Sequence, residues 1–136
     1  MSEELLGFGE ATIRILASAE TTGGALGLFE ELAPLLDTPM HVHSKEDELF
    51  YSLEGEHVIQ VGDEEHRIGP NESVFGPRGV PHSQGRVVPG EGRLLVLVVP
   101  GGFEGFFRGL AEADAAGRLG PKAYAELSAQ YGITWL

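Results

Sequence analysis

His41 and His43 stand two residues apart in Met40-His41-Val42-His43. On a β-strand successive side chains alternate faces, so both imidazoles point the same way, with Cα atoms about 6–7 Å apart. That separation lets two ring nitrogens converge on one cation at about 2.0–2.2 Å each. Glu48 follows after four residues, enough chain to turn and aim a carboxylate at the same point. A third imidazole, His82, lies far along the chain in Pro77-Arg78-Gly79-Val80-Pro81-His82. Three neutral imidazoles and a carboxylate suit a first-row divalent ion with coordination positions left open. The expected cofactor is one divalent transition metal, and the donor set admits iron, nickel, manganese, copper, cobalt or zinc.

The elements that must position these side chains are short strands. Residues 1–10 carry no strong signal and read as an arm or the start of a strand. Thr12 to Ala17 alternates and is rich in β-branched residues, which predicts a strand. Gly23-Gly24 marks a turn. Leu26, Leu28, Phe29 and Leu32 fit either a strand or one helical turn, with a strand running into Glu30 favoured, and Pro34 and Pro39 frame a loop that delivers the chain to His41. From Glu48 the pattern predicts a hairpin: Leu49 to Leu53 with Phe50 and Ser52 on the face of Glu48, a turn at Gly55, and a return strand from His57 to Val61. Short strands follow at Glu65 to Ile68 and Ser73 to Phe75, then a tight corner at Gly76-Pro77-Arg78-Gly79. Arg93 to Pro100 is nearly continuous apolar sequence, expected to be buried on both faces. The period then changes. Phe103, Phe106, Phe107 and Leu110 share a helical face, Gly117 and Gly120 interrupt it, and Pro121 opens a second helix with Tyr124, Leu127 and Tyr131, ended by Gly132. Strands at short, even spacing followed by helices indicate a small all-β sandwich or jelly-roll β-barrel with a C-terminal helical tail. The expected organisation is a single domain over 1–136, with a strand arm at 1–33, a barrel core at 34–100 and a helical tail at 101–136.

Composition sets bounds on partners. The chain has 136 residues, 42% of them hydrophobic, enough for one domain with a real core. Twenty glycines and 8 prolines favour many turns. A formal net charge of −12 makes nucleic acid and anionic membranes poor partners. There are no cysteines, so disulfides and thiolate zinc sites are excluded. The N-terminus lacks the basic and apolar regions of a signal peptide, and a cytoplasmic location is expected.

With these residues in place the chain resembles the cupin superfamily. The first cupin motif is matched by His41, His43, four residues, Glu48, six residues and Gly55; the second by Pro77, Gly79 and His82. The motif's upstream glycine is absent, Gly69 lies two residues too far from the second motif, and Arg86 replaces its final Asn. These departures touch turns and not ligands. Asp47 is the rival carboxylate, fitting a shorter spacing, but Glu48 sets the motif's distance to Gly55. Glu48 to Gly55, together with the aromatic stretch Gly102-Phe103-Glu104-Gly105-Phe106-Phe107, looks most like small single-domain cupins related to quercetin dioxygenase. The resemblance implies a jelly roll with the metal inside it, a helix closing one side of the cavity, and a homodimer.

Other side chains have bland alternatives. Phe50 and Phe75 could bind an aromatic substrate or simply fill the barrel. His57 and His66 are expected at the surface or facing the sheet, away from the metal. Arg78 and Arg86 flank His82 and could meet an anionic substrate group or be solvated. The expected function is a metal-dependent, dioxygenase-like oxidoreductase acting on a small hydroxylated or enolisable substrate, with Glu48 as ligand, as base or as both. The alternatives are a metal-dependent isomerase or lyase, and a non-catalytic small-molecule-binding protein.

Overall fold

The computed structural model describes residues 4–32, 37–88 and 91–136. In chain order these form β1 (Glu4–Phe8), β2 (Ala11–Ala17), the single turn α1 (Ala19–Thr22), β3 (Gly27–Leu32), β4 (His41–His43), β5 (Asp47–Glu54), β6 (His57–Val61), β7 (Glu64–Ile68), β8 (Ser73–Gly76), β9 (His82–Arg86), β10 (Arg93–Val99), α2 (Glu104–Ala115), α3 (Pro121–Tyr131) and β11 (Ile133–Trp135). The strands build two antiparallel sheets. One is six-stranded in the order β1-β2-β3-β10-β5-β8, and the other five-stranded in the order β11-β4-β9-β6-β7.

The period-2 rule accounts for most of this. On β5, Glu48, Phe50 and Ser52 are buried while Leu49, Tyr51 and Leu53 are only partly covered. On β2, Ile13 and Ile15 point inward. Gly55 takes a φ of +77°, the left-handed conformation the hairpin turn requires. Phe29, Phe50, Leu94, Val96 and Val98 of the larger sheet face Ile59, Ile68 and Ile133 of the smaller one to form the core. Each fully buried large apolar side chain contributes about 1.5–3 kcal/mol.

The helices close the other side. Phe106 and Leu110 of α2 are buried, Phe107 stacks on Phe8 of β1 at 5.9 Å, and Phe103 and Phe107 both meet Phe29. Pro121 occupies the start of α3, and Tyr124 and Tyr131 set their rings edge-on to Phe106.

Four features differ from the sequence reading or extend it. Residues 4–8 form a full edge strand, paired with β2 from Glu4↔Ile15 to Phe8↔Ala11. Ser18 to Thr22 holds a capped helical turn that no periodicity announces, Ser18 and Thr21 capping each other. β10 is buried on one face only. Leu94, Val96 and Val98 are enclosed, whereas Leu95 and Leu97 are shaded sideways by Glu30, Tyr51, Leu28 and Leu49 on the flanking strands. Finally, the tail is not helical to its end: β11 returns to pair with β4, Ile133↔His43 and Trp135↔His41. Of the loop expected between Pro34 and Pro39, residues 34–36 lie outside the described residues. No helix among the described residues is long and apolar enough to cross a membrane.

Candidate metal centre

His41 and His43 come from β4, and both are buried on the inner face, as strand alternation requires. His82 opens β9 and sits directly across the ladder from His41. The three rings meet, with centroids 4.3 to 5.2 Å apart, and one nitrogen from each lies within 4.8 Å of the others. Glu48 reaches the cluster from β5, in the opposite sheet. Its Oε2 lies 2.7 Å from His82 Nε2 and its Oε1 3.5 Å from His43 Nε2. The site therefore bridges the two sheets.

The geometry fits a cation. Two ligands each about 2.1 Å from one ion lie about 3 Å apart when they subtend a right angle. The contacts of Glu48 fall around that value. Glu48 Oε2 is buried and has no hydrogen bond, so its approach to His82 lacks the alignment of a donated N–H. An unsatisfied buried carboxylate oxygen is costly unless something charged meets it. Burial works to raise the Glu48 carboxyl, but its contact with His82 and the fields of His43, His82 and His41 outweigh that and hold it below the usual carboxylate range. His41 is pushed down to about 4 by burial and by the neighbouring His82, which leaves its imidazole neutral and its lone pair available at neutral pH.

The far nitrogens of two rings are committed. His41 Nδ1 lies 2.7 Å from the Pro39 carbonyl and His43 Nδ1 3.3 Å from Glu46 Oε1, both acceptors. A proton on each Nδ1 leaves each Nε2 as the ligand atom, and such outer contacts fix ring orientation in metal sites. The loop carrying Pro39 is tied to β9, since Thr38 N donates to Gln84 O at 2.9 Å and Gln84 N to Thr38 Oγ1 at 3.0 Å. Trp135 lies over His41 at 4.9 Å, Phe103 against His43 at 4.5 Å and Phe50 by His82 at 5.5 Å.

All four expected ligands, His41, His43, Glu48 and His82, are brought together. Phe50 lines the same cavity. Phe75 does not. Register pairs Glu48 with Gly76 and Leu49 with Phe75, so Phe75 takes the outer face of β8 and is 53% exposed. Asp47 also points away, accepting a hydrogen bond from Arg78 N at 2.8 Å. Arg86 is paired with Asp37 at 3.0 Å. His57 is buried, its Nε2 3.0 Å from Glu54 O at the far end of the sheets, and His66 pairs with Glu64 on β7.

Several site residues escaped the sequence reading. Glu46 lies three residues beyond His43 in the turn, a spacing that nothing in the linear pattern marks out. Gln84, two residues past His82 on a strand, shares its face by simple alternation. Glu31 shares the inward parity of Gly27 and Phe29 on β3, and a charged residue on an apolar parity was the available signal. Glu31 accepts a hydrogen bond from the Gln84 amide, and burial pushes its carboxyl up to about 7, with the charge of Glu48 adding to the rise.

The cavity at the cluster measures about 80 Å³. A larger, mostly apolar cavity of about 170 Å³ adjoins it, walled by Phe8, Ile13, Leu32, Leu110 and Tyr124. The two share Glu31, Thr38, Phe106, Phe107 and Trp135.

A family model described as a cupin domain matches residues 28–100. No curated protein matches the chain in sequence. Among solved structures, KdgF from Halomonas sp. has a TM-score of 0.60 at 16% identity, over 71% of this chain and 86% of that one. Oxalate decarboxylase from Bacillus subtilis has a TM-score of 0.61 at 19% identity, over 74% of this chain but only 28% of its own length. A Klebsiella pneumoniae protein with a double-stranded β-helix domain has a TM-score of 0.56 at 16% identity, over 68% and 79%. At these identities the likeness is one of fold.

Proposed function

The chain belongs to the cupin-domain family, and from that premise we propose that it is a metal-dependent, dioxygenase-like oxidoreductase acting on a small hydroxylated or enolisable molecule. The narrower likeness to quercetin dioxygenase-related cupins belongs to this proposal, as does closure of the two sheets into a jelly roll. The observation that carries it is the buried cluster: three imidazole nitrogens within 4.8 Å and an unsatisfied Glu48 oxygen beside His82.

His41, His43, His82 and Glu48 would hold one divalent transition ion. When bound, such an ion draws charge from a substrate hydroxyl and, where redox-active, exchanges electrons with dioxygen. The chain's own residues supply the remainder. In this reading Glu48, whose carboxyl is held below its usual range and so is ionised at neutral pH, would take the hydroxyl proton. Phe29, Phe50, Phe103 and Trp135 exclude water, which strengthens every charge interaction inside. Pro39 and Glu46 keep His41 and His43 from turning.

Elemental analysis of protein purified without chelators or a histidine tag tests the first half, with near-stoichiometric transition metal expected. Oxygen uptake by iron-, nickel- or manganese-loaded protein over a panel of enolisable substrates tests the second, and Glu48→Gln should abolish it. Turnover without oxygen would move the assignment to an isomerase or lyase. Ligand-induced stabilisation without turnover would move it to a binding protein. Protein that takes up no metal at all ends the proposal.

A further inference from the structure

Glu31 has no role in holding the cluster, yet its position is not that of a structural carboxylate. On β3 it follows the inward face of Phe29, and its ladder neighbours on that face are Ile13 of β2 and Leu94 of β10, both buried. An acidic side chain between two apolar ones, facing the space between sheets, is expensive without donors. Among the described residues it has no ion pair with lysine or arginine, and its hydrogen bond comes from the Gln84 amide. A carboxylate has about four lone-pair sites, and one amide N–H fills one of them. The same side chain lines both cavities. Its neighbour Glu30 shows the contrast. That side chain points to the outer face and meets Arg93 at 2.8 Å and Arg14 at 3.4 Å.

Glu31 also stands where the small cavity at the cluster joins the larger apolar one, among Thr38, Phe106, Phe107 and Trp135. Facing it across this space are His41 of β4, Glu48 of β5 and His82 and Gln84 of β9. A ligand anchored at the imidazoles and extending outward passes between a carboxylate and aromatic rings.

We propose that Glu31 is a specificity residue that grips a hydroxyl or amine on the body of an extended, largely aromatic or apolar substrate whose chelating head lies among His41, His43, His82 and Glu48. This deepens the metal reading and rests on it. Gln84 is the positioning residue that holds the carboxylate in place, and Phe106, Phe107 and Trp135 receive the apolar body.

The test uses cobalt-loaded protein, whose visible bands report the ligand set, titrated with 4-phenylcatechol and its three relatives hydroxylated once on the distal ring. At least one hydroxylated probe should bind the wild type about tenfold or more tightly than 4-phenylcatechol, as a hydrogen bond to a charged group allows. Glu31→Gln should erase that preference while leaving cobalt uptake, the cobalt spectrum and 4-phenylcatechol affinity unchanged. Gln84→Leu should reduce the preference in the same way. A wild type that does not discriminate among the probes overturns the proposal, and so does a Glu31→Gln variant that loses affinity for all of them equally. Failure of the metal reading has a different signature: the wild type then takes up no cobalt, and the inference about Glu31 falls with it.

Discussion

Glu30 and Glu31 are consecutive on β3, point to opposite faces, and are shifted in opposite directions. The Arg93 hydrogen bond, with Arg14 beside it, overcomes burial and holds Glu30 below the usual range. Burial pushes Glu31 from 4.5 to about 7. The signs follow from proton counts. Folded Glu30 binds fewer protons than unfolded, so its contribution is present above pH 4.5 and is lost as pH falls below it. Folded Glu31 binds more protons between pH 4.5 and 7, so stability declines as pH rises through that window, by on the order of 2 kcal/mol. In metal-free protein, denaturant unfolding at a series of pH values should show Glu31→Gln without the decline between pH 4.5 and 7, and Glu30→Gln with a flattened acid limb. Parallel profiles for the two variants would contradict the assignment. The same alternation explains what the sequence could tell at this scale. His41 and His43 were legible because a two-residue offset on a strand puts both on one face, and Glu48 was separated from Asp47 by its six-residue distance to Gly55 in the motif it resembles. Phe75 was misplaced because its face is decided by pairing with β5, and Glu31 was missed because its partner Gln84 lies 53 residues away.

At the scale of elements, the least legible piece is β11. Three residues are too few for any period to register, and what makes them a strand is β4 beside them. Gly132 makes the return possible. Its φ of +74° caps α3 and sends the chain back, and its carbonyl accepts from Ser44 N at 2.9 Å. A Cβ there would lie 3.3 Å from Lys45 Cε and closer still to Ser44 Oγ. Gly132→Ala should therefore cost about 1–3 kcal/mol and weaken metal binding, because the strand it misplaces carries the ring over His41. Trp135→Ala separates the two effects. It leaves the turn intact and removes the ring 4.9 Å from His41, along with the Nε1 hydrogen bond to Ser128 Oγ at 2.8 Å. Since Trp135 is 39% exposed, the expected loss is about 1–2 kcal/mol, less than for a core aromatic. Metal affinity should fall in both variants, measured by competition with a chromophoric chelator. A Gly132→Ala protein with wild-type affinity would show that β11 does not support the site. The long strand β5, by contrast, was readable because its alternation runs over eight residues, whereas the unbroken apolar run of β10 marked a strand but hid which face is buried.

For the whole molecule, the decisive fact is that the candidate ligands come from both sheets: His41, His43 and His82 from the five-stranded one, Glu48 from the six-stranded one. Apolar packing between the sheets was foreseeable from alternation, but which strands would face each other was not, since strand order is set by long-range pairing. An ion at the centre would cross-link the two layers and bind only the folded chain. Occupancy at a hundred times the dissociation constant then adds about 2.7 kcal/mol, which for a domain of this size raises the midpoint of thermal unfolding by on the order of 10 °C. A competing explanation must be removed. With a net charge of −12, any divalent cation will relieve self-repulsion at the surface. Such relief is shared by magnesium and is matched by about 0.3 M monovalent salt, which screens exposed charges beyond several ångströms. The specific gain should survive that salt, appear with cobalt or manganese and not with magnesium, and vanish in His82→Ala, which removes a ligand from one sheet without altering the charge. Equal stabilisation by magnesium, or a full gain retained in His82→Ala, would show that the ion acts on the surface and not between the sheets.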